Sequence, residues 1–498
     1  MRPNILFLMT DQQRFDAMSA HGGWVRTPTL DSLAREGADL QGHFSQAPVC
    51  VPSRASLFTG RYPHAHGVLE NDARLAEHEV HLLKVLKQNG YDLAYVGKNH
   101  LLPEEELRAN TRHHDIRESG SRESAARKSY LELERASMER LRTVGSFASG
   151  AFHDLPDEVT TTGIISAKTR ERVKAAPADQ PWCVVASFSD PHVPHLAPRR
   201  FERMYPPGNL PLPAWDPSEP RLEPPRLPVK RGAQNVAAAT DADRRRYLSI
   251  YGAMCSFVDE QVGLILETLR QRPDADRTII VFVSDHGDFC WHHGLCKKDL
   301  VLYDDLLHVP AVIHWPGQVA PRVINQTLSE HVDIVPTLLE LAGIPVPFGC
   351  QGRSLVPLLR GETAAHRDEI HGEVCYPWMR SGSTTFEAFC RSNADAQVGK
   401  GETITPPPYN VPGDYTKCLR TARWKYIWFG DGFEELYDLE ADPGESRNRA
   451  GDASLAPVLQ GFRLRLMEWV VLTADPRSPA TEKRQRAEFD RWRYGDSA

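Results

Sequence analysis

The sequence has no apolar stretch approaching the roughly 20 residues that span a bilayer, so a membrane-spanning protein is not expected. It has no long run of Lys or Arg, and its formal net charge is -7. Nucleic acid is therefore not an expected partner, because phosphate backbones demand clustered cations. It has no Cys-x-x-Cys pair, which argues against a thiolate zinc site. The nine cysteines are odd in number and lack framework spacing, so they read as reduced packing residues. The opening MRPNILFLMTDQQ has too short an apolar run for a secretory signal, and the expected location is cytoplasmic. No internal repeat is visible.

What is present is an ordinary globular composition, 41% apolar and 25% charged over 498 residues, enough for a large core. Strand-length apolar runs alternate with helical stretches. That pattern predicts an α/β fold with a large, mostly parallel sheet sandwiched by helices. Four of the runs share a further property. NILFLM leads to Thr10, Asp11 and Gln12; LAYV leads to Lys98, Asn99 and His100. WCVVASF leads to Ser189, Asp190, Pro191 and His192; TIIVFV leads to Ser284, Asp285 and His286. Open parallel sheets bind ligands beyond the carboxyl ends of their strands, so one edge is expected to collect these groups.

Residues 244–270 carry apolar positions at three- and four-residue spacing and predict a core helix, with Cys255 as packing. Residues 104–145 are charged and partly helical. The Pro-rich segment 206–233 reads as a long surface loop, and 376–417 as an irregular insertion of the kind that borders binding sites. CLRTARWKYIWF followed by EELYDLEADPGESRN reads as a hairpin, and APVLQGFRLRLMEWVV as an amphipathic helix. The expected division is a catalytic domain over 1–365 and a smaller C-terminal α+β domain over 366–498. The charged tail after Pro476 reads either as a frayed end or as an arm onto a second subunit, and a homo-oligomer is expected.

The carboxylates Asp11 and Asp285 with the amide of Gln12 and the imidazole of His286 suit a hard or borderline divalent cation. Two ordinary turns with capping aspartates would look the same. Cys50 precedes PSRASLFTG, a short helix ending at Gly60, and stands where helix N–H groups stabilise an anion. A thiolate nucleophile is one reading of it. Against that, only three residues separate Cys50 from Arg54, fewer than a phosphate-wrapping Cys loop needs.

Cys50-Val51-Pro52-Ser53-Arg54 through Thr59-Gly60 resembles the C-x-P-S-R-x-x-x-x-T-G signature of the type I, formylglycine-dependent sulfatases of the alkaline phosphatase superfamily. The resemblance continues in PNILFLMTDQQR, TPTLDSLAREG, VGKNH, SDPHVPH, SDHGD, GLCKKDLVLYDDLLHVPAVIHWPG and HVDIVPTLLELAGI, in family order along nearly the whole chain. It implies that Asp11, Gln12, Asp285 and His286 ligate one divalent metal, calcium first, with manganese or magnesium as alternatives. It implies that a formylglycine-generating enzyme, a transient partner, oxidises Cys50 to formylglycine. The hydrate of that aldehyde would then be the nucleophile and touch the same metal. Arg54 would stabilise the hydrate. Lys98, His100, His192 and Lys298 would surround the sulfate, with Asn71 lining the pocket. Lys298 is favoured over Lys297 by its distance from Tyr303.

Two positions depart from the commonest family pattern. Many members carry Asp where Gln12 stands and Asn where His286 stands. The Gln/His pairing is similar to a branch that includes phosphonate monoester hydrolases, whereas Lys98 and His100 match the sulfatase form. The expected activity is hydrolysis of small aryl or alkyl sulfate monoesters, and the alternative is phosphonate monoester or phosphodiester hydrolysis. A sulfatase-like binding protein with a dead site is disfavoured by the intact cysteine and basic residues. An aldehyde hydrate suits the reaction because one carbon carries two oxygens, which Ser or Cys cannot offer. His192, with Lys298, is expected to protonate the leaving group, and His100 to assist sulfate release. His195, His292 and His293 read as surface or supporting residues, and Asp288 as a helix cap.

Overall fold

The computed structural model describes residues 2–116, 124–215, 221–224, 226–376 and 414–474. Eight strands form the main sheet: β1 (Asn4–Asp11), β2 (Ala38–Leu40), β3 (Asp92–Gly97), β4 (His113–Ile116), β5 (Trp182–Pro191), β6 (Thr278–Ser284), β7 (Ala311–His314) and β8 (Arg322–Ile324). β1 lies between β5 and β6 and runs parallel to both. β3 is parallel to β5 on one side and to β4 on the other. β7 is the antiparallel member, inserted between β6 and β2. The sheet is thus mostly parallel, as expected.

Every residue of β1 is buried, which explains why its sequence is a continuous apolar run rather than an alternating one. Successive side chains still point to opposite faces. Ile5, Phe7 and Met9 pack with Val51, Ala55 and Phe58 of helix α1 (Cys50–Thr59). Leu6 and Leu8 pack with Ile165 of α2 (Thr161–Ala175) and with Val258, Val262 and Ile265 of α3 (Asp241–Arg270). The result is a helix–sheet–helix sandwich. α3 contains the predicted 244–270 helix, and Cys255 is fully buried within it. Its start is set by Thr240 and Asp243, which bond each other's backbone N–H.

The second sheet is antiparallel: β9 (Glu369–Tyr376), β10 (Asp414–Thr421), β11 (Trp424–Phe429) and β12 (Glu434–Asp438). Adjacent residues on its strands serve opposite faces. Cys418, Ile427 and Tyr437 pack on the main body beside Tyr303 and Leu307. Leu419, Tyr426 and Leu436 pack on Leu459, Phe462, Leu466 and Trp469 of α4 (Ala456–Thr473). The predicted hairpin and amphipathic helix are therefore the two halves of one layer pair.

One element differs from expectation. Arg226–Ala233, inside the segment read as a loop, is helical. Pro228 sits in its first turn, where a missing N–H costs nothing. Most of the 376–417 insertion, and the tail after Pro476, lie outside the described residues. No helix among the described residues is long and apolar enough to cross a membrane.

Candidate active site

The carboxyl ends of β1, β3, β5 and β6 deliver their polar groups to one edge. Cys50 meets them there as the first residue of α1, one position further into the helix than its sequence suggests. All ten residues of α1 are buried. Val49 at its N-cap has no capping side chain, and Asn71 supplies one from the following loop by accepting the Val51 N–H at 3.0 Å. Asn71 is thus tied to the helix that carries the thiol. Gly60 ends the helix at φ 69°, and a Cβ there would stand 2.6 Å from Cys350 Sγ.

One ligand atom each from Asp11, Cys50, Asp285 and His286 lies within 4.8 Å of the others, and all four residues are buried. His286 Nδ1 donates to the Gly287 carbonyl at 2.9 Å, which leaves Nε2 as the bare nitrogen, 3.3 Å from Cys50 Sγ. Gln12 belongs to the group. It has φ 73°, its N–H donates to Asp285 Oδ1 at 3.0 Å, and its Nε2 donates to Asp288 at 2.6 Å. Its Oε1 is buried without a partner. Two carboxylates, an imidazole and an orphaned amide oxygen fit a divalent cation, since a buried acceptor without a donor is costly otherwise.

Arg54 is fully buried and does not reach for the sulfur. Its Nε donates to Asp285 Oδ2 at 2.8 Å and its Nη2 to Asp11 Oδ2 at 2.7 Å. Its Nη1 donates to the Lys98 carbonyl and to Ser187 Oγ, each at 2.9 Å. It clamps the outer oxygens of both carboxylates.

The two lysines do converge on position 50. Lys298 Nζ lies 2.7 Å from Cys50 Sγ and 3.1 Å from His286 Nε2. Lys98 Nζ lies 3.6 Å from the same sulfur and donates to Asp11 Oδ2 at 2.6 Å. Burial and the Asp11 charge push the Cys50 thiol up, but the ammonium groups of Lys298 and Lys98 pull it further down, well below the ordinary range. Burial works against Lys298, yet the anions Cys50, Asp11 and Asp285 raise it above the usual lysine value. Burial pushes Asp11 up, and Lys98, Lys298, His192 and Arg54 outweigh it, so Asp11 stays ionised. Burial and the Asp11 charge raise Asp285. His192 bonds the Val193 carbonyl through Nδ1 at 2.6 Å; burial, then Lys298 and Lys98, hold it well below the ordinary histidine value. His100, at φ 39°, stands at the exposed rim.

Of the residues set aside in the sequence, Asp288 lies differently from expectation, and the histidines take the supporting alternative. Asp288 caps no helix; it is fully buried and holds the Gln12 amide. His195 is buried, with its ring edge-on to Tyr247 at 4.7 Å. His293 stacks on Tyr303 at 4.3 Å, and with His292 it flanks Asp305. The Asp288–Gln12 and His195–Tyr247 contacts join residues far apart in the chain, so no local pattern announces them.

The arrangement is a buried anionic cluster beneath two ammonium groups, a place for a cation below and an anionic group above. The family model "Sulfatase" matches residues 3–344. The chain belongs to the sulfatase family. It is 31% identical over 469 residues to an ulvan-active sulfatase of Formosa agariphila, covering 90% of this chain and 77% of that one. It is 28% identical over 476 residues to an arylsulfatase of Clostridium perfringens, covering 90% of each. The structure of a phosphonate monoester hydrolase of Agrobacterium radiobacter superposes with a TM-score of 0.73 at 25% identity, covering 95% of this chain and 96% of that one. Sulfatases of this family are hydrolases of sulfate esters, and this chain is an enzyme of that kind.

Proposed function

We propose that this sulfatase cleaves small aryl or alkyl sulfate monoesters with Cys50, converted to formylglycine, as the nucleophilic residue. The observation that carries the reading is the approach of Lys298 Nζ and Lys98 Nζ to Cys50 Sγ, at 2.7 and 3.6 Å, beside the four-residue cluster. The sulfur marks where the aldehyde carbon's substituents would stand. Formylglycine supplies two oxygens on one carbon, so the bond to the sulfuryl group can be released from the carbon side. Cys50 and its whole helix are buried, so the formylglycine-generating enzyme needs the segment before it is packed.

Asp11, Gln12, Asp285 and His286 would hold the divalent cation, calcium first, which when bound adds Lewis acidity to the site and stabilises charge on the transferring group. Arg54 keeps both carboxylates in place and offsets their charge. Lys98 and Lys298 bind the anionic ester and stabilise the charge that grows as the S–O bond breaks. His192, whose Nδ1 is fixed on the Val193 carbonyl, keeps Nε2 free to carry a proton to the leaving oxygen, and Lys298, held protonated by its anionic neighbours, stabilises the charge that builds there. His100 serves release of sulfate from the rim.

Phosphonate monoester hydrolysis is the second reading, favoured by the Gln12/His286 pairing and by the structural match to a phosphonate monoester hydrolase. Lys98 beside Cys50 favours sulfate. Aryl sulfate and aryl phosphonate monoesters with the same leaving group, assayed on one preparation, decide between them. A higher kcat/KM for the sulfate is expected, and a large phosphonate preference would reverse the ranking.

A further inference from the structure

A hydrogen-bond relay runs behind the site, through residues that the proposed mechanism does not use. Asp288 is fully buried, and three donors point at its carboxylate. They are Gln12 Nε2 at 2.6 Å, Tyr247 Oη at 2.9 Å to the same oxygen, and the Cys290 N–H at 2.7 Å to the other. A carboxylate only accepts, so it forces the Gln12 amide to turn its NH2 inward. The Gln12 carbonyl oxygen is left on the other side, buried and unpartnered. Tyr247, having spent its proton on Asp288, accepts the Lys297 N–H at 3.1 Å. Lys297 has a left-handed backbone, φ 63°, an uncommon state for a residue with a side chain. The next residue is Lys298, whose ammonium lies on Cys50.

We propose that Asp288 and Tyr247 are positioning residues that tie the Gln12 end of the cation site to the backbone of the Lys298 loop. One carboxylate thereby sets both the acceptor offered to the cation and, through the tyrosine, the lysine that meets the ester. The proposal rests on the reading of Gln12 as a cation ligand. It predicts a division of effects. Asp288→Leu removes both acceptor oxygens, so nothing holds the Gln12 NH2 inward. Tyr247→Phe leaves that orientation alone and frees the Lys297 N–H.

The test begins with chelated wild-type enzyme titrated calorimetrically with calcium and, separately, manganese. Asp288→Leu should bind the preferred cation at least about 10-fold more weakly, the range for lost support behind a metal ligand. The double variant Asp288→Leu/Gln12→Glu should recover most of that loss, because a carboxylate at position 12 offers an oxygen to the cation whichever way it turns. Damage of a merely structural kind would not be repaired by a second substitution. Tyr247→Phe should keep cation affinity within about threefold while raising KM more than it lowers kcat, since lysine placement bears first on binding the ester. Wild-type enzyme that binds neither cation would overturn the cation reading and the proposal with it. Wild-type binding together with unchanged Asp288→Leu affinity, or no rescue by Gln12→Glu, would overturn the proposal alone. If Asp288→Leu does not fold by circular dichroism, Tyr247→Phe decides: unchanged KM contradicts the link to Lys298.

Discussion

Two buried clusters in this molecule both set basic side chains against carboxylates and end in opposite states. At the edge of the main sheet, Lys98 and Lys298 aim at one sulfur, and Gln12 Oε1 has no partner. Between the main body and the second sheet, Lys425 is fully buried and bridges Asp304 and Glu445 at 2.7 Å each, while Arg420 takes the other Asp304 oxygen at 3.0 Å. The second cluster closes on itself and joins two parts of the chain. The first leaves charge and an acceptor pointing at space between residues. Burying charge is expensive, so a cluster left open in this way is explained by something it is made to hold. The difference separates a site for chemistry from a joint.

The comparison predicts that substitutions in the first cluster cost turnover and those in the second cost stability. Cys50→Ser should show the largest effect. It should lose multiple turnover by at least about 10³-fold, because a single oxygen cannot form the hydrate, while thermal unfolding stays close to wild type. Lys298→Ala should follow, lowering kcat/KM by roughly 10²- to 10³-fold, read in steady-state assays. Chelation should abolish activity, and restoring the cation should return it and raise the melting temperature, as binding to the folded state requires. Lys425→Met should do the converse. It strands Asp304 and Glu445 and should cost about 3–5 kcal/mol in urea unfolding, with kcat/KM near wild type under conditions where the variant is folded.

The smallest effect concerns Glu435. Burial pushes this carboxyl up to about 7, against hydrogen bonds from Tyr437 and Tyr303. Its native pKa is raised above the unfolded value, so the unfolded chain sheds its proton first. Stability should therefore fall as pH rises from the ordinary glutamate range toward 7, by an amount on the order of 3 kcal/mol if the shift is fully expressed. Melting curves of Glu435→Gln should be flatter over that window. Equal pH dependence in the two proteins would contradict the assignment.

Much of the site was legible in the sequence because chemistry sits where a periodic signal stops. Asp11, Lys98, His192 and Asp285 each follow a strand-length apolar run, and the parallel order of those strands carries them to one edge. The Cys50 signature named the family directly, and the family implied Lys298. What could not be read is pairing across the chain. Asp288 meets Gln12 over 276 positions, and Arg54 turns toward Asp285 over 231. Neither contact leaves a local pattern. The Pro-rich stretch left His195 open between a surface and a supporting residue, and only its contacts with Tyr247 and Ser149 decide for the second. The helix at Arg226–Ala233 was hidden by the prolines around it.

The central claim is that the reactive group at position 50 is an aldehyde and not the encoded thiol. Mass spectrometry of the peptide containing Cys50, taken from enzyme of measured specific activity, tests it most directly. The account predicts the formylglycine mass, in a fraction that tracks activity between preparations. An unmodified thiol at position 50 in fully active enzyme would contradict it.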